Sequence, residues 1–115
     1  MSSHVKQHVL SIVDVLENPP LLDDVEKYDM GYEEQDEVHL SAYDYLTDCL
    51  ETVYYVNADR EYLGARLLVA YGGPNIYVDT YQGVVEGHWW GDSYSENFTD
   101  TMDLDEACEE MYNCN

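Results

Sequence analysis

The stretch 66–90, RLLVAYGGPNIYVDTYQGVVEGHWW, decides the fold. It holds three runs, 66–71, 76–81 and 84–90, rich in Val, Ile, Leu, Tyr and Trp. Gly72-Gly73-Pro74-Asn75 and Gln82-Gly83 separate them, and both are turn chemistries. Short β-rich runs joined by tight turns predict a three-stranded antiparallel meander. Alternation puts Leu67, Val69 and Tyr71 on one face of the first strand. In the second, Ile76 and Val78 oppose Tyr77, Asp79 and Tyr81; in the third, Val85 and Trp89 oppose Val84, Glu86, His88 and Trp90. One face of such a sheet can meet water while helices cover the other.

Those helices lie on either side of the meander. Upstream, Val5, Val9, Ile12, Val13 and Leu16 fall on one helical face of 3–17, and Asn18-Pro19-Pro20 ends it, because a residue before proline is driven out of the α region. Ser41 is a plausible N-cap for a second helix, with Asp44 three residues on. Ala42, Leu46, Cys49, Leu50 and Val53 would form its buried face; Asp44, Asp48, Glu51 and Tyr55 would form the other. Downstream, 91–100 reads as a polar loop anchored by Tyr94 and Phe98. Asp103 is then expected to cap a last helix that buries Leu104, Ala107, Cys108 and Met111 and turns Asp105, Glu106, Glu109 and Glu110 outward. The expected order is helix, helix, three strands, helix: an α+β fold in a single domain, 1–115.

Between the first two helices, 21–40 is an acidic loop. It carries Asp23, Asp24, Glu26, Asp29, Glu33, Glu34, Asp36 and Glu37 against one cation, Lys27, with Tyr28 and Tyr32 interleaved. It has too few aliphatic residues to build a core element. The expected form is an extended connection with one helical turn around 23–28, its tyrosines tucked against the domain and its carboxylates in water. A loop of this length inside a compact domain is usually functional or without fixed structure, and the functional reading is taken here.

The charge is extreme. Twenty-five acidic residues against four Lys and Arg give −21 at pH 7, far beyond the magnitude of roughly 2–8 that keeps a small domain soluble. Self-repulsion of that size opposes compaction, so a partner or an unusual solvent is implied. Direct binding to DNA or RNA is excluded as an expectation, since affinity for phosphates comes from Lys and Arg. Apolar residues make up 45% of the chain, enough for a core. Three cysteines, Cys49, Cys108 and Cys114, form no C-x-x-C pair and suggest neither a disulfide framework nor a zinc site. Asp14 and Glu17 interrupt the only N-terminal apolar segment, so a soluble cytoplasmic chain is expected.

No catalytic constellation emerges. His4 and His8 are spaced i, i+4 but have no third ligand, and a solvated pair is the expectation. Gly72-Gly73-Pro74-Asn75 lacks the lysine of a phosphate loop. Asp100, Asp103, Asp105 and Glu106 lack calcium-loop spacing, so capping and a solvated face explain them. An enzyme, a metal and a cofactor are all expected to be absent. Trp89 and Trp90 must face opposite sides of a strand; if Trp89 is inside, Trp90 is either covered by the final helix or part of a partner-binding patch.

Size, charge, and tyrosine interleaved with acid resemble the acidic inhibitors that phages and mobile elements direct against host defence, the DNA-mimic anti-restriction and anti-CRISPR proteins. The resemblance is one of class, carried by the run 23–37, by Asp44, Asp48 and Glu51, and by the acidic tail 103–110. It implies stoichiometric blocking of a nucleic-acid-binding or PAM-reading groove in a CRISPR–Cas effector or restriction enzyme, inside the infected cell. On a helix, Asp44, Asp48 and Glu51 would lie about 6 Å and then about 4.5 Å apart along the axis, near the roughly 3.4 Å advance per phosphate of one DNA strand. The alternatives are a halophilic domain, whose charge answers to solvent, and an acidic adaptor for a basic protein.

Overall fold

In the computed structural model, which describes residues 2–33, 35 and 37–114, the chain runs α1 (Ser2–Glu17), α2 (Asp24–Asp29), α3 (Ala42–Thr47), β1 (Glu51–Val56), β2 (Tyr62–Ala70), β3 (Asn75–Asp79), β4 (Val84–Trp89), β5 (Asp92–Asn97) and α4 (Leu104–Asn113). Among the described residues the strands form one antiparallel sheet in the order β1-β2-β3-β4-β5. The α+β class holds, and β2, β3 and β4 are the expected meander. Two further strands extend it, one on each side.

The first addition replaces most of the expected second helix. Ser41 caps α3 as anticipated, its Oγ accepting from Asp44 N at 3.2 Å, but α3 stops at Thr47. The chain then becomes β1, pairing Glu51 with Leu68 through to Val56 with Tyr62. Thr52-Val53-Tyr54-Tyr55-Val56 is a β-branched and aromatic run that suits a pleated surface. An open edge of β2 beside it outweighs the helical spacing of Cys49, Leu50 and Val53. Asp44, Asp48, Glu51 and Tyr55 therefore share no helix face.

The second addition, β5, occupies the expected polar loop. Trp89 pairs with Asp92, leaving Trp90-Gly91 as a two-residue turn with φ 51° and 84°. Positive φ at both central residues is the type I′ pattern, which normally takes Asn, Asp or Gly first. A tryptophan there costs roughly 1–2 kcal/mol of backbone strain. Its side chain is exposed, so the final helix does not cover it.

One face of the sheet carries the helices. Val5 and Val9 of α1 lie over Gly87 of β4, where a Cβ would come within 2.8 and 2.7 Å of their respective methyls. Leu16, Ala65, Leu67, Ile76, Val78, Val85, Leu104, Ala107 and Cys108 complete the core. Leu67 is buried as expected, whereas Val69 is half-buried and Tyr71, past the end of β2, is exposed. The start of α4 differs from its expected form. Asp103 stands at φ 58° and makes no side-chain cap; Asp100 caps instead, accepting from Leu104 N at 2.7 Å and Asp105 N at 2.9 Å. Asp105 turns inward and accepts from Tyr62 Oη and Thr80 Oγ1, both at 2.7 Å, and Met111 is exposed.

Candidate partner interface

The acidic loop is built, not merely tethered. Its ends close in a bridge between Leu21 and His39, flanked by Leu22 N donating to Val38 O at 2.7 Å and Leu40 N donating to Pro20 O at 2.8 Å. Pro19 and Pro20 stop α1 and turn the chain into this bridge. Inside it, α2 opens with a full capping box: Glu26 N donates to Asp23 Oδ1 at 2.8 Å and Asp23 N to Glu26 Oε1 at 3.2 Å. Acid in the first turn also suits the positive end of the helix. Leu22 and Lys27 are buried and hold the loop down, Lys27 Nζ lying 3.5 Å from Asp24.

What the loop turns outward is unexpected. Val25 is 71% exposed and Tyr28 83%, and Met30 and Tyr32 are exposed as well. The tyrosines are not tucked against the domain. They stand among Asp24, Glu26 and Asp29, all exposed, giving an apolar and aromatic strip bordered by carboxylates.

The structure separates the remaining site candidates into groups. Asp23, Asp24, Glu26 and Asp29 sit on α2 and its cap, and Glu33 and Glu37 lie exposed on the return limb. Glu34 and Asp36 lie outside the described residues. Asp44 is held by Ser41, whose Oγ donates to Asp44 Oδ2 at 2.7 Å, and Asp48 is the C-cap of α3. Glu51 and Tyr55 belong to β1, on the sheet face opposite the helices.

A groove of about 480 Å³ joins the loop to α4, lined by Pro19, His39, Tyr43, Asp103, Glu106 and Glu110. Tyr43 Oη donates to Glu110 across it. The carboxylates of α4 thus continue the acidic surface of the loop base. The sequence marks 103–110 as one of three acidic regions, but none of its residues is among the expected partner-binding set.

No protein-family model matches the chain, and no curated protein or solved structure matches it either. Among the described residues, no helix is long and apolar enough to cross a membrane, and no three His, Cys, Asp or Glu side chains converge to hold a metal.

The helix-free face of the sheet has its own electrostatics. Asp79 is fully buried; its carboxylate accepts from Tyr55 Oη and Gln82 N, each at 2.9 Å. Arg66 Nη1 is 3.6 Å from Asp79 and 3.1 Å from Glu86, and its guanidinium lies 4.1 Å from the centre of the Tyr77 ring. Burial and the hydrogen bond to Asp79 push the Tyr55 hydroxyl upward. For Arg66, burial works downward, but the bond to Glu86 and its charge prevail and raise it. Two of the four cations, Lys27 and Arg66, are therefore engaged by carboxylates of the same chain. Burial pushes the Cys49 thiol up to about 11 and that of Cys108 up to about 12, so neither is a thiolate at neutral pH.

Proposed function

We propose that this protein is a stoichiometric inhibitor that presents its acidic loop as a substitute for DNA to the basic groove of a nucleic-acid-binding enzyme, such as a CRISPR–Cas effector or a restriction nuclease. The observation that carries the reading is the outward strip of Val25 and Tyr28 among carboxylates on a loop that is capped and pinned. A charge that answered only to solvent would not need exposed apolar side chains there, and this weighs against the halophilic alternative. A protein partner makes use of both. Carboxylates accept paired bonds from arginine much as phosphates do, and they steer a basic groove toward the loop. Tyr28 and Val25 then supply desolvated contact, and aromatic residues concentrate at interface hot spots. Pre-forming the loop lowers the ordering cost of binding.

The test is capture of a tagged protein's partner from a lysate that holds restriction and CRISPR complexes, followed by competition with duplex DNA. The expected outcome is one nucleic-acid enzyme, released by its own DNA and by washing at about 0.5 M salt, where screening shortens to a few ångström. Neutralising Asp24, Asp29 and Glu37 to Asn, Asn and Gln, or changing Val25 and Tyr28 to Ala, is expected to weaken binding roughly tenfold or more. Neutralising Asp14 and Asp59, exposed on α1 and in the turn between β1 and β2, should change it little. Equal losses from both sets would reduce the effect to bulk charge and end the proposal.

A further inference from the structure

Where β4 turns into β5 lies a second cleft, and no residue of the acidic loop lines it. Val5 and Val9, near the start of α1, pack on Gly87, and β4 runs on from there to Trp89. The loop follows the other end of this 16-residue helix, whose last residue, Glu17, lies about 12 Å beyond Val9 along the axis. The cleft, about 490 Å³, is lined by Tyr71, Asn75, His88, Trp89, Trp90 and Asp92 among others. Tyr71 is 75% exposed and Trp90 86%, and the rings of Trp89 and Trp90 stand nearly perpendicular, 78°, with centres 5.6 Å apart.

We infer that this cleft binds an arginine side chain presented by a protein partner. Three observations converge. First, Trp90 occupies a positive-φ turn position where Asn or Gly would be unstrained, yet its indole is left in water; strain maintained at an exposed aromatic points to a binding role. Second, a cleft lined by aromatic rings and by Asp92 is a setting in which a cation is held by ring quadrupole and charge together. A planar, weakly hydrated guanidinium stacks on such a face and turns its N–H edge to a carboxylate better than a lysine ammonium does. The same molecule contains that arrangement: Arg66 lies over Tyr77 with Glu86 at its edge. Third, a net charge of −21 selects basic partners. Only the source of the arginine rests on the basic partner already proposed; the chemistry of the cleft does not.

Trp89 and Trp90 are the two tryptophans of the chain, so fluorescence excited at the red edge of the indole band, where the twelve tyrosines do not absorb, reports this cleft. The probe is a blocked Gly-Arg-Gly peptide, with Gly-citrulline-Gly as its uncharged isostere and Gly-Lys-Gly as the second cation. Saturable binding of the arginine peptide at roughly millimolar concentration is expected, with the lysine peptide severalfold weaker and the citrulline peptide silent. Trp90→Asn suits the turn and so preserves the hairpin; it and Asp92→Asn should each weaken binding about tenfold. Saturation-transfer NMR on the peptide itself removes dependence on the missing indole. Equal binding of citrulline, full binding by Trp90→Asn, or no saturation would each overturn the inference. Arginine binding without capture of any nucleic-acid enzyme would uphold the cleft and remove the DNA-mimic reading; the reverse result would do the opposite.

Discussion

Asp79 sits fully buried on the sheet face that no helix covers, bound by Tyr55 and Gln82 and facing Arg66. Alternation along β3 places it on that face; Tyr55, which donates to it, lies ring to ring with Tyr81 at 5.6 Å. Removing one member of such a pair leaves the other charge and several donors unmatched. Asp79→Ala is expected to cost about 3 kcal/mol, and Asp79→Asn, which keeps an acceptor for Gln82 or Tyr55, about 1–2 kcal/mol. Urea midpoints at constant m-value measure both. Equal costs would mean that charge, not hydrogen bonding, holds this face together.

At the scale of elements, the start of α4 gives a direct contrast. The Asp100 carboxylate accepts from two backbone N–H groups, while the side chain of Asp103, one residue before the helix, makes no capping bond. Asp100→Ala should therefore cost about 1–2 kcal/mol, and Asp103→Gly, at a φ of 58°, nothing; thermal melts of the two variants decide it. The same helix shows where sequence reading reaches its limit. Leu104, Ala107 and Cys108 were legible as a buried face, as were α1, Ser41 as a cap and the three central strands, because apolar periodicity and turn residues are local signals. β1 was hidden because Cys49, Leu50 and Val53 also satisfy a helical spacing, and only the free edge of β2 arbitrates. β5, Asp-Ser-Tyr-Ser-Glu-Asn, carries almost no apolar pattern; it is a strand because the Trp90-Gly91 turn delivers it to β4. For the site, the acid was legible and its grouping was not. Outward apolar residues such as Val25 look, in sequence, like any core residue.

For the molecule as a whole, the buried tyrosines and thiols set a limit at high pH. Burial raises Tyr45 and Tyr62 above their ordinary value of 10.0, with the bond to Asp105 adding to Tyr62, and raises Cys49 and Cys108 from 9.0 to about 11 and about 12. The folded chain thus holds these protons more tightly than the unfolded chain. Below pH 9.0 this contribution to stability is complete; as pH rises toward 11–12, the unfolded state ionises first and the contribution is lost. Melting temperatures should fall steadily above about pH 9 and remain flat from neutrality to that point, so far as these groups govern them. Melting temperatures that stay flat between about pH 9 and 11 would mean that the four groups are more accessible than the packing implies. The bridge between Leu21 and His39 has a different kind of consequence. A segment whose two ends already meet across a strand pair is a cassette: it can be cut out and the gap closed by a hairpin turn, or transplanted into the turn of an unrelated scaffold. Charge and architecture are then separable: the loop can be exchanged while the sheet beneath it stays the same.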